Sequence, residues 1–85
     1  MFFVYVLRSH PTGRTYIGHT DNLDRRTTEH NTDKSVATKQ REPWELVGRL
    51  PRESRSEAMK LEAKLKRMKR SDLVIAYLRR HSALV

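Results

Sequence analysis

Residues 16–30 read Tyr-Ile-Gly-His-Thr-Asp-Asn-Leu-Asp-Arg-Arg-Thr-Thr-Glu-His, and this segment organises the rest of the chain. It begins as a short apolar strand that is interrupted at Gly18, and Asp21 then offers a side-chain oxygen that can begin a helix. In that helix Arg26 and His30 are four residues apart, so both side chains project from the same face. A tyrosine at the end of a strand, followed by an arginine and a histidine on a helix, indicates a site that phosphodiester chemistry can use.

The composition is that of one small domain over residues 1–85, with 36% apolar residues and a modest core. The absence of cysteine excludes disulfides and thiolate zinc sites, and the four histidines are too scattered to form a metal motif. No apolar run approaches the roughly 20 residues that a membrane span requires. The apolar start at residues 1–7 lacks a basic leader and a cleavage site, so we expect a cytoplasmic protein with no membrane association.

The charge of the chain predicts a polyanionic partner. The formal net charge is +8, and between Ser54 and His81 nine lysines and arginines face three acidic residues. Nucleic acid is the first candidate for the partner and an anionic membrane is the second, although the helical apolar faces are needed for the core. The alternative is a solvated basic surface with no partner, and the charge alone leaves that alternative open.

The first half of the chain predicts a β-hairpin followed by a helix. The apolar run from Phe2 to Leu7 is typical of a strand buried on both faces, and residues 10–13 have the composition of a turn. Residues 15–17 form the second strand, so antiparallel pairing brings Tyr5 close to Tyr16. The first helix spans residues 21–30, and the polar segment 31–42 is predicted to be a loop.

The second half predicts one more strand and two helices. The third strand begins at Pro43 and places four residues on one side, namely Trp44, Leu46, Gly48 and Leu50. Ser54 or Ser56 caps the next helix, whose core-facing residues are Ala58, Leu61, Leu65 and Met68. Ser71 caps the last helix, which buries Leu73, Val74, Tyr77 and Leu78, and residues 81–85 are expected to fray. The prediction is therefore an α+β domain of order β-β-α-β-α-α, a three-stranded antiparallel sheet flanked by helices.

Two carboxylates flank the apolar stripe of the second predicted helix. With about 100° per residue, Glu62 lies roughly 80° from the centre of the stripe, and Glu57 lies about 60° from it on the other flank. Periodicity does not choose between them as a metal ligand. The ordinary alternative for Glu62 is an ion pair with Lys66, one helical turn away. Likewise, an ordinary role for Arg26 is an ion pair with Glu29, and Tyr5 and Tyr16 could be simple core aromatics.

Taken together, these residues resemble the motifs of the GIY-YIG nuclease superfamily. The resemblance rests on Val4-Tyr5-Val6, on Tyr16-Ile17-Gly18, on Arg26 and His30, and on an acidic residue in a later helix. The resemblance covers the chain from Phe2 to about Leu78. The chain looks like a minimal bacterial member of the superfamily, and it is similar to the nuclease domain of UvrC-type DNA repair proteins and to structure-specific nucleases. The resemblance selects Glu62 over Glu57. Val4 replaces the glycine of the first motif.

The resemblance implies a catalytic set of Tyr5, Tyr16, Arg26, His30 and Glu62. Glu62 would hold a single divalent ion, Mg²⁺ or Mn²⁺, and Arg26 would bind the scissile phosphate. Tyr5 would take a proton from the attacking water while Tyr16 orients it. A phenol of pKa near 10 needs about three units of help at pH 7, which we expect from His30, His19 and Arg26. A neutral histidine can accept the phenol proton, so activity is expected to rise with pH through the histidine range.

The predicted function is a metal-dependent endonuclease that hydrolyses DNA, single-stranded or branched, with little sequence specificity. The residues predicted to contact phosphate are His19, Arg25, Lys39, Lys66, Lys69 and Arg70. The alternative is a non-catalytic nucleic-acid-binding module on the same scaffold. Its support is that many family members carry an asparagine about twelve residues after the glutamate, whereas here Val74 or its neighbours occupy that region and no asparagine follows Asn31. The oligomeric state stays open.

Overall fold

The computed structural model describes residues 1–31 and 43–85. In chain order the elements are β1 (Phe2–Ser9), β2 (Thr15–Thr20), α1 (Leu23–Asn31), β3 (Trp44–Arg52), α2 (Arg55–Lys66) and α3 (Ser71–Arg80). This confirms the predicted α+β fold and its order β-β-α-β-α-α. Most of the predicted loop 31–42 lies outside the described residues, while Asn31 is the last residue of α1. Within the two described ranges no helix is long and apolar enough to cross a membrane.

The sheet is antiparallel with the strand order β2-β1-β3, so β1 is its central strand. Val4 and Val6 of β1 point to one face, where they pack with α2 and α3. Tyr5 and Leu7 point to the other face, together with Leu23 of α1. All four of these β1 side chains are almost fully buried. The sheet therefore separates α1 from α2 and α3, as the continuous apolar run of β1 requires.

A β-bulge divides β3 into two parts. The pairing of β1 with β3 shifts between Val6 and Leu7, where Val47 is the extra residue on β3. Because an extra residue reverses the alternation of side chains, Trp44 packs on the face of α1 while Leu50 packs on the face of α2 and α3. The structure thus corrects the prediction that one side of β3 carries Trp44, Leu46, Gly48 and Leu50. The strand begins at Trp44, one residue after the predicted start.

The helix caps differ from two of the predictions. Asn22, and not Asp21, caps α1, because its Oδ1 accepts the backbone N–H of Arg25 at 3.0 Å. Ser54 caps α2 as expected, since its Oγ accepts the backbone N–H of Glu57 at 3.2 Å. Ser71 is the first residue of α3 and not its cap; Arg70 holds the cap position, and its side chain makes no capping hydrogen bond to the helix backbone.

The buried faces of α2 and α3 follow the predicted stripes with two exceptions. Ala58, Leu61 and Leu65 are buried in the core. Met68 follows the end of α2 and is only partly buried. Leu73 is 43% exposed, so its predicted burial is wrong. It projects about 100° from Val74, on the side of α3 that turns away from the core.

The C-terminal segment is held against β3, so the prediction that residues 81–85 fray is wrong. The backbone N–H of Arg49 donates to the carbonyl of Ala83 at 3.0 Å, and the N–H of Val85 donates to the carbonyl of Val47 at 3.0 Å. The Ala83 side chain is buried in the main core. These hydrogen bonds cover the outer edge of β3, which would otherwise present unpaired backbone groups.

Gly48 is needed for this close approach of the C-terminal segment. A Cβ atom at this position would lie 2.7 Å from Leu78 Cδ1 and 2.9 Å from the backbone oxygen of Ala83. We therefore expect Gly48→Ala to lower the free energy of unfolding by about 1–3 kcal/mol, measured by urea denaturation. Gly13→Asn is the control, since nothing lies within 4 Å of a Cβ there and asparagine tolerates its positive φ. A Gly48→Ala variant as stable as this control would contradict the prediction.

Candidate active site

The β1–β2 hairpin brings the two tyrosines together. Tyr5 pairs with Gly18 across the hairpin, and the ring centroids of Tyr5 and Tyr16 lie 6.3 Å apart, as predicted. Gly18 leaves room for the phenol, because a Cβ atom there would lie 2.6 Å from Tyr5 Oη. The glycine of the second motif is therefore required by the tyrosine of the first.

Helix α1 places Arg26 and His30 against the Tyr5 hydroxyl group. Arg26 Nε donates to Tyr5 Oη at 3.3 Å, and His30 Nε2 lies 3.0 Å from the same oxygen. Because Arg26 can only donate, the hydroxyl oxygen accepts from Arg26 and is able to donate its own proton to His30. The His30 ring also packs on Tyr16, with 4.6 Å between centroids. Four of the predicted site residues thus form one cluster.

The pKa of Tyr5 shifts in the direction opposite to the expectation. Burial raises the pKa of the Tyr5 phenol to about 12, and the hydrogen bond from Arg26 only partly offsets this. Burial, together with the nearby Arg26 charge, lowers the pKa of His30 to about 4. His30 is therefore neutral at pH 7 and supplies no positive charge that would lower the pKa of the phenol. The prediction that a neutral histidine accepts the phenol proton concerns this 3.0 Å contact between Tyr5 Oη and His30 Nε2, and it stays a prediction.

Arg26 stays charged and is held on two sides. Burial by itself lowers the pKa of its guanidinium, but hydrogen bonds with Tyr5, Glu29 and Tyr16 outweigh burial and leave the pKa above its usual range. Glu29 accepts from Arg26 Nη1 at 3.0 Å. The ion pair weighed as an ordinary role for Arg26 is thus present, and it fixes the guanidinium beside the tyrosines.

Glu62 projects from α2 and contacts His19 of β2, the strand that also carries Tyr16. Its Oε1 lies 2.7 Å from His19 Nδ1, and its Oε2 lies 2.8 Å from Lys66 Nζ. Burial by itself raises the pKa of the Glu62 carboxyl, but the hydrogen bonds from Lys66 and His19 prevail and lower it, so the group is ionised at neutral pH. Its charge is near enough to contribute to the raised pKa of Tyr5. Glu57, in contrast, is engaged with Ser54 at the cap of α2.

Arg55 is a neighbour of the site that no sequence pattern indicates. Its Nη1 lies 3.5 Å from His19 Nε2, and its guanidinium lies 4.8 Å from the centre of the Phe2 ring. With His19 Nε2 as the acceptor, His19 Nδ1 carries the proton that it donates to Glu62. His19 therefore orients the carboxylate in this arrangement. No motif in the sequence distinguishes Arg55 from the other basic residues of the C-terminal half.

The predicted phosphate-binding residues divide between a groove and more distant positions. A groove of about 320 Å³ runs between β2 and the turn that joins α2 to α3, and its lining includes Tyr16, Lys66, Lys69, Arg70 and Ser71. Lys69 has a φ of 60°, the left-handed region, and Arg70 pairs with Asp72 at 2.6 Å. Arg25 lies outside the groove and pairs with Asp21 at 3.8 Å. Lys39 lies outside the described residues.

The donor set suits one hard cation held weakly. Glu62 offers an ionised, partly exposed carboxylate, which fits Mg²⁺ or Mn²⁺ when water and phosphate oxygens complete the shell. Among residues 1–31 and 43–85, no three or more His, Cys, Asp or Glu side chains form a metal-binding group. Val74, which lies in the region where the resemblance implies an asparagine, is buried in the core and offers no ligand.

A β-hairpin with two tyrosines, a following helix with arginine and histidine, and one carboxylate from a second helix define a class of small catalytic domain. The family model described as the GIY-YIG catalytic domain matches residues 1–74, and the chain belongs to this family. Membership indicates nuclease activity in general.

Two relatives extend this comparison. The chain is 41% identical over 69 residues to the UPF0213 protein DP2720 of Desulfotalea psychrophila, covering 79% of this chain and 62% of that protein. The chain thus matches less than two thirds of that relative's length. It is also similar to the solution NMR structure of the UPF0213 protein BH0048 of Bacillus halodurans, with 35% identity, a TM-score of 0.51, and coverage of 87% of this chain and 83% of that chain.

The buried His30 predicts a specific loss of stability in acid. Its pKa is about 4 in the folded state, below the usual 6.5, so the unfolded chain takes up the proton first as the pH falls. This group therefore contributes stability at pH 7 that is lost between about pH 6.5 and 4, amounting to about 3 kcal/mol. Urea denaturation at pH 7 and at pH 4 measures how far the free energy of unfolding falls between the two pH values. This fall should be smaller in His30→Gln than in wild type by about the same amount. An equal drop in both proteins would contradict the prediction.

Proposed function

We propose that the protein is a metal-dependent endonuclease that hydrolyses phosphodiester bonds in DNA. The observation that carries this proposal is the Tyr5 hydroxyl group, which lies between Arg26 Nε and His30 Nε2 beside Tyr16. A buried phenol bonded to a permanent cation and to a neutral imidazole can move a proton next to a negatively charged substrate. Membership in a nuclease family supports the same conclusion.

Glu62 would hold the divalent ion, Mg²⁺ or Mn²⁺, together with water and the substrate phosphate. When bound, such an ion offsets the charge that develops on the leaving 3′ oxygen. His19 would keep the carboxylate oriented through its 2.7 Å hydrogen bond. Arg26 would bind the scissile phosphate and stabilise the pentacoordinate state, with Glu29 and Tyr5 fixing its position.

The proton of the attacking water would pass to Tyr5 as Tyr5 passes its own proton to His30. A phenol of pKa about 12 is ionised in only about one molecule in 10⁵ at pH 7, so a free phenolate is a poor base. A concerted transfer through the 3.0 Å hydrogen bond avoids that intermediate. His30 is already neutral above pH 6, so its titration is expected to leave the rate unchanged between pH 6 and 9, in contrast to the prediction from the sequence.

The substrate would lie along the groove beside Tyr16, with its phosphates near Lys66 and Lys69. Contacts to phosphate give binding that is sensitive to salt and largely independent of sequence. The groove has a volume of only about 320 Å³, which favours a single strand or a branch point as the substrate. Among the described residues, no helix is arranged with base-reading partners as in known recognition motifs. A cytoplasmic location stays a prediction.

The second candidate function is nucleic-acid binding without cleavage. Two observations favour it. Val74 is buried in the core and supplies no second ligand for a metal ion. Both carboxylate oxygens of Glu62 already have partners, His19 and Lys66. Under this reading the same groove would bind phosphate, but no ion would reach the carboxylate.

A cleavage assay separates these candidates. Labelled single-stranded, branched and duplex DNA would be incubated with Mg²⁺, with Mn²⁺ and with EDTA, and binding would be followed in parallel by fluorescence anisotropy. We expect cleavage of single-stranded or branched DNA with either metal and none in EDTA. Binding to all three substrates with no product under any condition would support the second candidate.

A further inference from the structure

The Glu62 carboxylate is closed by Lys66 on the side where a cation would bind. Oε1 is held by His19 at 2.7 Å, so Oε2 is the oxygen on which a divalent ion would have the better access. Lys66 Nζ lies 2.8 Å from Oε2 and occupies the place of such an ion with its own positive charge. An ammonium and a divalent cation cannot both sit on this oxygen at that distance.

Lys66 also belongs to the groove that we propose as the phosphate-binding surface. Its side chain lines this groove together with Tyr16, Lys69 and Arg70. The Lys66 side chain is 55% exposed, whereas that of Glu62 is 18% exposed, so the lysine is the partner that can move. Ion pairs with such an exposed member are weak, and a phosphate oxygen nearby can compete for the ammonium.

We infer that Lys66 blocks the Glu62 carboxylate in the DNA-free protein and that a nucleic-acid phosphate in the groove draws its ammonium away, which opens Oε2 to the divalent ion. This inference rests on the proposed function, in which Glu62 is the metal ligand. Lys66 is then a positioning residue that couples two binding events. By thermodynamic linkage, DNA must increase the affinity for the ion by the same factor as the ion increases the affinity for DNA. In the absence of DNA the ion must compete with the Lys66 ammonium for Oε2.

The first test measures Mn²⁺ binding to the DNA-free protein by the loss of the free Mn²⁺ EPR signal. Lys66→Met is expected to bind Mn²⁺ about two- to five-fold more tightly than wild type, the range of one exposed ion pair. Lys66→Arg keeps a cation that can reach Oε2 and should stay within about 1.5-fold of wild type.

Lys60→Met is the matched control for net charge. It removes one positive charge from the same helix, on a face about 160° away from Glu62, and Lys60 is exposed. Its Mn²⁺ affinity should stay within about 1.5-fold of wild type. Equal tightening in Lys60→Met and Lys66→Met would assign the effect to net charge and overturn the inference. No saturable binding by Lys66→Met, or affinity equal to that of wild type, would overturn it as well.

The second test measures the coupling itself with a short single-stranded oligonucleotide. All proteins carry Tyr5→Phe, so that the DNA stays intact. The oligonucleotide should tighten Mn²⁺ binding at least three-fold more in the Lys66 protein than in the Lys66→Met protein. Equal enhancement in both would refute the coupling. Neither measurement uses cleavage, so a wild-type protein that fails to cut DNA defeats the proposed function while these results still decide the role of Lys66.

Discussion

Replacing Glu62 by glutamine is expected to reduce the rate of DNA cleavage about 10³-fold, equivalent to about 4 kcal/mol in the activation free energy. Glutamine has nearly the same shape, and its Oε1 can still accept the hydrogen bond from His19 Nδ1, which lies 2.7 Å from Glu62 Oε1 in the wild-type protein. It lacks the negative charge that would hold the ion, so the loss reports on the metal and not on the packing of α2. The rate is measured with a labelled oligonucleotide at saturating Mg²⁺.

Glu57→Gln is the matched control for this substitution. Glu57 lies on the same helix, is exposed, and retains its place in the Ser54 cap when it becomes glutamine. We expect this variant to cleave DNA within about two-fold of wild type. A Glu62→Gln protein that cleaves as fast as the Glu57→Gln protein would remove Glu62 from the chemistry and, with it, the proposal of a single metal ligand. Circular dichroism confirms that each variant is folded.

Local sequence patterns predict the half of the site built from neighbouring segments. Tyr5 and Tyr16 meet because a tight turn joins two short strands, and a hairpin of this kind leaves few alternatives for their distance. Arg26 and His30 share one face of α1 because a spacing of four residues aligns them; their contact with the Tyr5 hydroxyl group joins residues 21 and 25 positions apart and is not part of this local relation. Both relations depend on local geometry, which is why the sequence alone is sufficient for them.

The other half of the site depends on contacts between distant segments. Helical periodicity left Glu57 and Glu62 as alternatives, and only the family resemblance chose between them. The structure adds a hydrogen bond between His19 and Glu62, whose partners are 43 residues apart in sequence. No periodicity or propensity encodes such a contact, because it follows from the way α2 packs against β2. The same holds for Arg55, which reaches His19 from the start of α2.

Two further differences arise from backbone hydrogen bonding. The bulge at Val47 reverses the alternation in β3, and a one-residue shift of this kind has no signature in residue types. The C-terminal segment pairs with β3 through the backbone groups of Ala83 and Val85. Nearly every residue type carries these groups, so the residue types there do not indicate the pairing. The direction of the Tyr5 pKa shift could not be predicted from the sequence either, because it depends on how completely the fold buries the phenol.

Removing the Tyr5 hydroxyl group is the most direct test of the proton path. Tyr5→Phe keeps the ring that packs beside Tyr16 but leaves His30 Nε2 without the hydroxyl group that lies 3.0 Å away. General acid–base catalysis contributes about 10²–10⁴-fold to rates, so we expect a loss of cleavage in that range at saturating Mg²⁺. Arg26 also loses one acceptor, which should cost about 1–3 kcal/mol of unfolding free energy.

Tyr77→Phe provides the comparison for this variant. Tyr77 is a buried tyrosine of α3 in the other core, where its ring packs near Lys64 and His81, away from the hairpin. Its loss of a hydroxyl group should leave the cleavage rate within about two-fold of wild type. If Tyr5→Phe lost less than ten-fold in rate at a temperature where it is fully folded, water alone or another base would accept the proton. The Tyr5 hydroxyl group would then serve only to hold Arg26 in place, and the raised pKa of Tyr5 would have no counterpart in the chemistry.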